Sequence, residues 1–300
     1  MYQGVVILNK EPGFTSFDAV AVCRRIFGQK AVGHTGTLDP MARGVLPICL
    51  GRATKLSDLL VSTEKEYEVE MELGRTTDTD DCTGQELTAA DTSGLTEEQV
   101  REALLRYIGD YDQVPPRYAA IKKDGKKLYE YARAGIEVDM PGRPVSIYEL
   151  EILEMKLPKV QYRVRCSKGT YIRSLCRDVG QDLGVGAVMT ALIRRSTSGF
   201  TLEQAVTLAE LEDAKQQGTL ESYVRPMDQL LQKYQALTCL PSGEKYLLNG
   251  NQLPQAVVTG AELTDQEMYR IYFNDALAAL YRYDAGRGML RNEKMLLERG

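Results

Sequence analysis

Gly33-His34-Thr35-Gly36-Thr37-Leu38-Asp39-Pro40-Met41-Ala42-Arg43-Gly44-Val45-Leu46 is where this 300-residue chain concentrates its chemistry. One acid stands between an apolar residue and a proline, and the single histidine of the chain lies five positions before it. Glycines at Gly33, Gly36 and Gly44 permit positive φ and close backbone approach, while Pro40 pushes Asp39 towards an extended conformation. The stretch therefore predicts a rigid loop that presents a carboxylate.

Outward from this loop the chain alternates strands and helices. On its N-terminal side, Gln3–Asn9 reads as a buried strand ended by the turn Lys10-Glu11-Pro12-Gly13. A helix follows, capped by Thr15 with Asp18 three residues on, carrying Phe17, Val20 and Ile26 as an apolar stripe and stopped by Gly28. Lys10 reads either as a surface lysine or as a phosphate contact. On the C-terminal side come a strand at Val45–Leu50, a short helix at Thr54–Leu60, and a strand from Glu66 to Leu73 in which glutamates alternate with Tyr67, Val69, Met71 and Leu73. On periodicity alone Tyr67 is a core tyrosine. Gly74–Asp91 is acidic and loop-like, and it lacks the glycine and terminal glutamate of an EF-hand calcium loop. Thr96 and Gln99 form a capping box for a helix to Ile108 that ends at Gly109.

Further on, Asp124-Gly125 is a hairpin-type turn flanked by Lys122, Lys123, Lys126 and Lys127. Leu128–Ala134 is a short helix, and Pro144–Met155 pairs antiparallel with Val160–Ser167. A helix from about Thr170 has Ile172, Cys176, Val179 and Leu183 inward, leaving Arg173 and Arg177 one turn apart on another face. Thr207 and Glu210 cap another helix, and one more is expected from Pro226 to about Gln235. The remainder, with tyrosine-rich strands at Met268–Phe273 and Ala278–Tyr283, reads as a small β-rich module.

His34-Thr35-Gly36-Thr37-Leu38-Asp39-Pro40, with Ala42, Gly44 and Leu46, resembles the catalytic-aspartate motif of the bacterial tRNA pseudouridine-55 synthases. Similarity to that family runs from about Val6 to about Phe200 and includes Lys126-Lys127-Leu128-Tyr129-Glu130-Tyr131-Ala132-Arg133 and Lys168-Gly169-Thr170-Tyr171-Ile172-Arg173. The resemblance implies an α+β pseudouridine-synthase fold with a mixed, mainly antiparallel sheet. It divides the chain into a catalytic domain, residues 1–235, and a PUA-like RNA-binding domain, residues 236–300. It implies that uridine 55 in the T loop of tRNA is flipped out and isomerised. Asp39 is then the essential acid, Tyr67 lies over the target base, and Arg173 pairs with Asp39. Leu192 packs against the base pocket and His34 inserts into the RNA stack, if it is not merely a structural residue. Lys10, Tyr171, Lys126 and Lys127 complete the substrate contacts, the hairpin lysines being otherwise a solvated tip.

Composition fits this reading. Apolar residues make up 43% of the chain, enough for one large domain and a small one. Residues 1–60 carry seven basic side chains against four acidic, 61–112 four against fifteen, and 121–200 fifteen against nine. The net charge of −5 argues against indiscriminate binding of nucleic acid, yet the segments holding the suspected site are the basic ones. Six scattered cysteines and one histidine suggest neither a zinc site nor a disulfide framework. With no signal peptide and no membrane-length apolar run, a cytoplasmic protein is expected, as a monomer without a membrane partner. No dinucleotide or phosphate-loop fingerprint is present, and the implied isomerisation needs no cofactor. Two other readings use the same RNA surface: an RNA-folding chaperone acting on the tRNA elbow, and the catalytic subunit of a guide-RNA particle.

Overall fold

The computed structural model describes residues 1–60 and 64–297. The chain opens with β1 (Gly4–Lys10) and α1 (Ser16–Phe27), whose Thr15–Asp18 capping box and left-handed Gly28 stop are where the sequence puts them. β2 (Val32–His34) and β3 (Arg43–Leu50) bracket the aspartate loop. After a 3₁₀ turn at Gly51–Leu56 comes β4 (Glu64–Leu73). The acidic stretch expected as loop instead holds a small hairpin, β5 (Arg75–Thr77) and β6 (Glu86–Ala89). α2 (Glu97–Leu105) stops short of Ile108, and Gly109, at φ +114°, opens β7 (Gly109–Gln113) rather than ending the helix.

The lysine turn is a hairpin of β8 (Lys122–Lys123) and β9 (Lys126–Lys127) followed by α3 (Leu128–Arg133). β10 (Arg143–Lys156), β11 (Lys159–Ser167), α4 (Ile172–Asp182) and β12 (Ala187–Thr197) complete the frame of the site. Beyond it lie β13 (Phe200–Thr201), α5 (Leu208–Gln217) and β14 (Arg225–Pro226). The helix expected from Pro226 to about Gln235 is a single turn, Met227–Leu230, and by Gln235 the chain has entered a second sheet.

One mixed sheet organises these elements, in the order β14-β1-β3-β12-β4-β11-β10-β7, with β2 and β13 attached at β3 and β12. It is antiparallel except where β12 runs parallel to β3. β4 lies between β12 and β11, so its inward residues Tyr67, Val69, Met71 and Leu73 meet Val160, Tyr162 and Val164 in the main core. The outward glutamates pair with Lys159, Arg163 and Arg195, a solvated ladder on the other face. A second sheet, of strands drawn from Gln235 to Met295, packs its own core around Leu237, Tyr269, Ile271 and Tyr281. It joins the first body through Met268, Leu280 and Leu296, which meet Val5, Ile7 and Val45. Among the described residues no helix is long and apolar enough to cross a membrane.

Phe17, expected on the inward stripe of α1, is 71% exposed. Val20 and Ile26 are buried as expected, and the place expected for Phe17 falls to Ser16, which is drawn in to bond the aspartate loop, with Ala19 and Cys23 beside it.

Candidate active site

Asp39 sits in the loop between β2 and β3, and six polar contacts hold that loop still. The Ser16 hydroxyl accepts from the Leu38 amide (2.9 Å) and donates to the Leu38 carbonyl (3.1 Å). Lys10 Nζ donates to the Pro40 carbonyl (3.3 Å), which also accepts from the Gly13 amide (2.9 Å). Arg194 Nη2 and Nη1 donate to the carbonyls of Gly36 (3.0 Å) and Thr37 (3.3 Å). Arg194 also donates through Nε to Val45 (2.7 Å), and its side chain is fully buried. Of the three glycines, only Gly44 has positive φ (+113°), and there a Cβ would stand 2.3 Å from the Arg194 carbonyl. Gly33 and Gly36 do not need the left-handed region.

Against this clamped loop Arg173, on the first turn of α4, presents its guanidinium to the Asp39 carboxylate. Nε lies 3.0 Å from Oδ2, and Nη2 donates to Oδ1 at 3.1 Å. The arginine side chain is 6% exposed and the aspartate 30%, so the pair is backed by protein while the acid remains reachable. The other donors of Arg173 go to the carbonyls of Thr79 (3.0 Å) and Tyr118 (3.1 Å). Asp81 stands behind at 4.0 Å, its own Oδ1 taken by the amide and hydroxyl of Thr83 and the hydroxyl of Thr79.

Tyr67 is the Cα partner of Arg194 across β4 and β12. Burial pushes its phenol up to about 12, the neighbouring Arg194 guanidinium opposing that rise and Asp39 adding slightly to it. The phenol is therefore neutral across the physiological range. Burial likewise lowers Arg194 below its ordinary value. Among the described residues no group of histidine, cysteine and acidic side chains could hold a metal ion.

Comparison with known proteins gives the family. The family model for the TruB family pseudouridylate synthase N-terminal domain matches residues 24–172, and that for the tRNA pseudouridylate synthase B C-terminal domain matches residues 173–232. A tRNA pseudouridine synthase B of Alkaliphilus oremlandii is 46% identical over 84% of this chain and 83% of its own. One from Clostridium perfringens is 40% identical over 99% of both. The chain belongs to the TruB family of tRNA pseudouridine synthases. Enzymes of this family are isomerases that convert uridine to pseudouridine in tRNA, and so is this one. Among solved structures, the TruB-family chain is similar to one described as an H/ACA RNP bound to a substrate RNA containing 2′-deoxyuridine (TM-score 0.71, 25% identity, covering 99% of this chain and 86% of that one). It is equally similar to one described as a Cbf5-Nop10-Gar1 complex (TM-score 0.71, 26% identity, 99% and 85%).

The remaining residues singled out in the TruB-family sequence divide into those the fold brings to Asp39 and those it does not. Lys10 is buried, not on the surface: its ammonium is spent on the carbonyls of Glu11 (2.9 Å), Phe14 (2.7 Å) and Pro40. It braces the loop, and burial lowers it to about 8 despite the nearby Asp39. Tyr171 precedes α4, its backbone held by both ends of the buried Gln113 amide (2.7 and 3.0 Å), and Arg173 and Asp39 are among the charges its phenol feels. Leu192 is buried opposite Val69, two residues along β12 from Arg194.

His34 is half-buried beside the loop, edge-on to exposed Phe17 with ring centroids 5.6 Å apart. Burial and then Arg194 lower its pKa, so the ring is neutral at pH 7. Lys126 and Lys127 lie on the hairpin, where Lys127 packs over the Tyr129 ring at 5.3 Å.

Sequence reading missed Arg194, Asp81 and Gln113. Arg194 lay in a motif singled out only for its leucine. Asp81 lay in the acidic run considered only as a metal loop, although aspartates spaced among threonines are also what a tight turn bonded to its own amides requires.

Proposed function

We propose that this enzyme isomerises uridine 55 in the T loop of tRNA and that Asp39 is its essential acid. In the reaction the bond from ribose C1′ to uracil N1 breaks, the base turns, a bond from C1′ to C5 forms, the C5 proton leaves and N1 takes up a proton. Isomerisation consumes no electron, phosphate or group donor, so the reading calls for no cofactor. The observation that carries it is the fork between Arg173 and Asp39: a buried guanidinium with two nitrogens on a carboxylate that remains partly open. Such a pair supplies an ionised, oriented carboxylate beside the sugar, and attack on ribose or base and removal of a ribose proton both require that form.

The target uridine must leave its stack, at a cost of roughly a few kcal/mol, and stacking on the Tyr67 ring would return about 1–3 kcal/mol. In this reading the Tyr67 hydroxyl handles the C5 proton as a relay, giving up its own proton as it takes that one. His34, uncharged and beside the loop, fits insertion into the gap left in the RNA. Lys126 and Lys127 fit contacts to the T-arm backbone, with residues 236–300 as a separate PUA-like RNA-binding domain. The working enzyme is a cytoplasmic monomer in this reading. Release of tritium from C5-labelled uridine in an unmodified tRNA transcript, mapped by position, tests it. Release confined to uridine 55 is expected; release elsewhere in the transcript would move the site, and no release would refute the isomerisation.

A further inference from the structure

Two carbonyls aim Arg173 at Asp39, and neither belongs to a helix or strand. Thr79 lies in the turn after β5, and Tyr118 in the irregular segment after β7. One turn along α4 from Arg173, Arg177 reaches both of these loops. Its Nη1 lies 3.1 Å from Asp80 Oδ2 and its Nη2 donates to the Val114 carbonyl at 2.9 Å. Nη2 and Nε also bond Asp178 Oδ1, at 2.8 and 3.0 Å.

Each held residue adjoins the site. Asp80 stands between Thr79 and Asp81 with φ +61°, a left-handed conformation that aspartate tolerates better than most residues. Its carbonyl accepts from the Met189 amide (3.2 Å), tying the turn to β12. The Val114 carbonyl is shared with the hydroxyl of Ser174 (2.9 Å), the residue next to Arg173. The two loops also meet each other where the Tyr118 hydroxyl donates to Asp78 Oδ2 at 3.4 Å. The side chains of Arg177, Asp80 and Asp178 are all less than one-fifth exposed, so these contacts are poorly screened.

We propose that Arg177 is a positioning residue for the isomerisation: it pins the Thr79–Asp81 turn and the Val114–Tyr118 segment to α4, fixing the carbonyls that hold Arg173 on Asp39. The role rests on the reading that Asp39 and Arg173 act as a pair. Arg177 touches no reacting group. A guanidinium is needed because one planar fork must reach an aspartate in one loop, a carbonyl in another and its own helix neighbour.

The test is single-turnover pseudouridine formation at saturating enzyme, with tRNA Kd and melting temperature measured on the same preparations of wild type, Arg177→Lys, Asp80→Asn, Arg173→Lys and the Arg173→Lys/Arg177→Lys double variant. Lysine at 177 keeps the positive charge facing Asp80 and Asp178 but cannot make all the contacts. Arg177→Lys is expected to lower the rate by about tenfold or more with Kd changed less than about twofold, and to add less than about twofold to the loss in Arg173→Lys. Asp80→Asn, nearly isosteric, removes one arm and should slow the reaction in the same direction; it carries the comparison if the lysine variant does not fold.

A wild-type rate in Arg177→Lys, a loss seen in Kd alone, or a loss that multiplies fully with that of Arg173→Lys would overturn the proposal. Those results require an active wild type. An inactive wild type would instead refute the proposed function itself.

Discussion

Asp39 must be both restrained and reachable, and the residues around it divide that work. Arg173 is its counter-ion, Lys10 and Arg194 hold the backbone on either side, and Tyr67 is the strand neighbour of Arg194. Arg173→Lys should therefore keep the charge and lose the fork, lowering the single-turnover rate by about 10²–10³-fold with little change in tRNA affinity. Tyr67→Phe keeps the stacking face and removes the hydroxyl. Its rate should fall by roughly 10²–10⁴-fold at unchanged Kd if the phenol handles the C5 proton, and a variant with the wild-type rate would assign that proton elsewhere. The pairing of Arg173 with Asp39 was legible only through the family resemblance, since by residue type alone Arg173 and Arg177 read as a solvated pair on a helix. Arg194 was not, since an Arg-Arg pair on a strand reads as solvated surface. Only the parallel pairing of β12 with β3, a contact between residues some 150 apart in sequence, buries one of the two against the loop carbonyls.

The elements that could be read from sequence are those decided locally. Thr15, Thr96 and Thr207 each form the reciprocal capping box their sequence spells, and Asp124-Gly125 turns the lysine hairpin with both residues at positive φ. Features decided by distant partners were missed: Gln235, expected to end a helix, starts a strand paired at Tyr269, and α1 turns Phe17 outward while Ser16 bonds the loop. Gly44 belongs to the second kind, since its need for glycine comes from the close approach of β12. Gly44→Ala meets both the positive φ, about 1–3 kcal/mol by itself, and the Arg194 carbonyl. Its melting temperature should drop by roughly 5–10 °C, and a drop below 2 °C would mean that the loop relaxes freely. The hairpin predicts an effect of another kind. Lys126→Ala and Lys127→Ala should each weaken tRNA binding and lower the slope of log K against log salt by about 1, without changing the rate at saturation.

Across the whole molecule, buried titratable groups set the response to alkali. Burial pushes the thiols of Cys23, Cys49 and Cys176 up to about 12 and that of Cys166 to about 11, from an ordinary 9.0. Above pH 9 the unfolded chain loses these protons while the folded chain keeps them, so stability is intact below 9 and falls as pH climbs towards 11–12. Lys10 and Lys65, lowered to about 8 from 10.5, act in the opposite sense: the penalty of burying them is relieved between those values. Four thiols outnumber two lysines, and the Tyr67 phenol adds to their side. The urea midpoint should fall steadily above pH 9, and less steeply in Cys49→Ala; a midpoint that rises to pH 10.5 would show that the lysines dominate.

The main sheet and the helices α1 and α4 packed on it carry the residues brought to Asp39, and the account stands or falls on that acid. The direct measurement is single-turnover conversion of uridine 55 by wild type and Asp39→Asn, alongside the tRNA Kd of each. The account predicts that Asp39→Asn binds within about threefold of wild type, since size is kept and one charge removed, and yields no detectable pseudouridine. Conversion by Asp39→Asn within tenfold of the wild-type rate would contradict it.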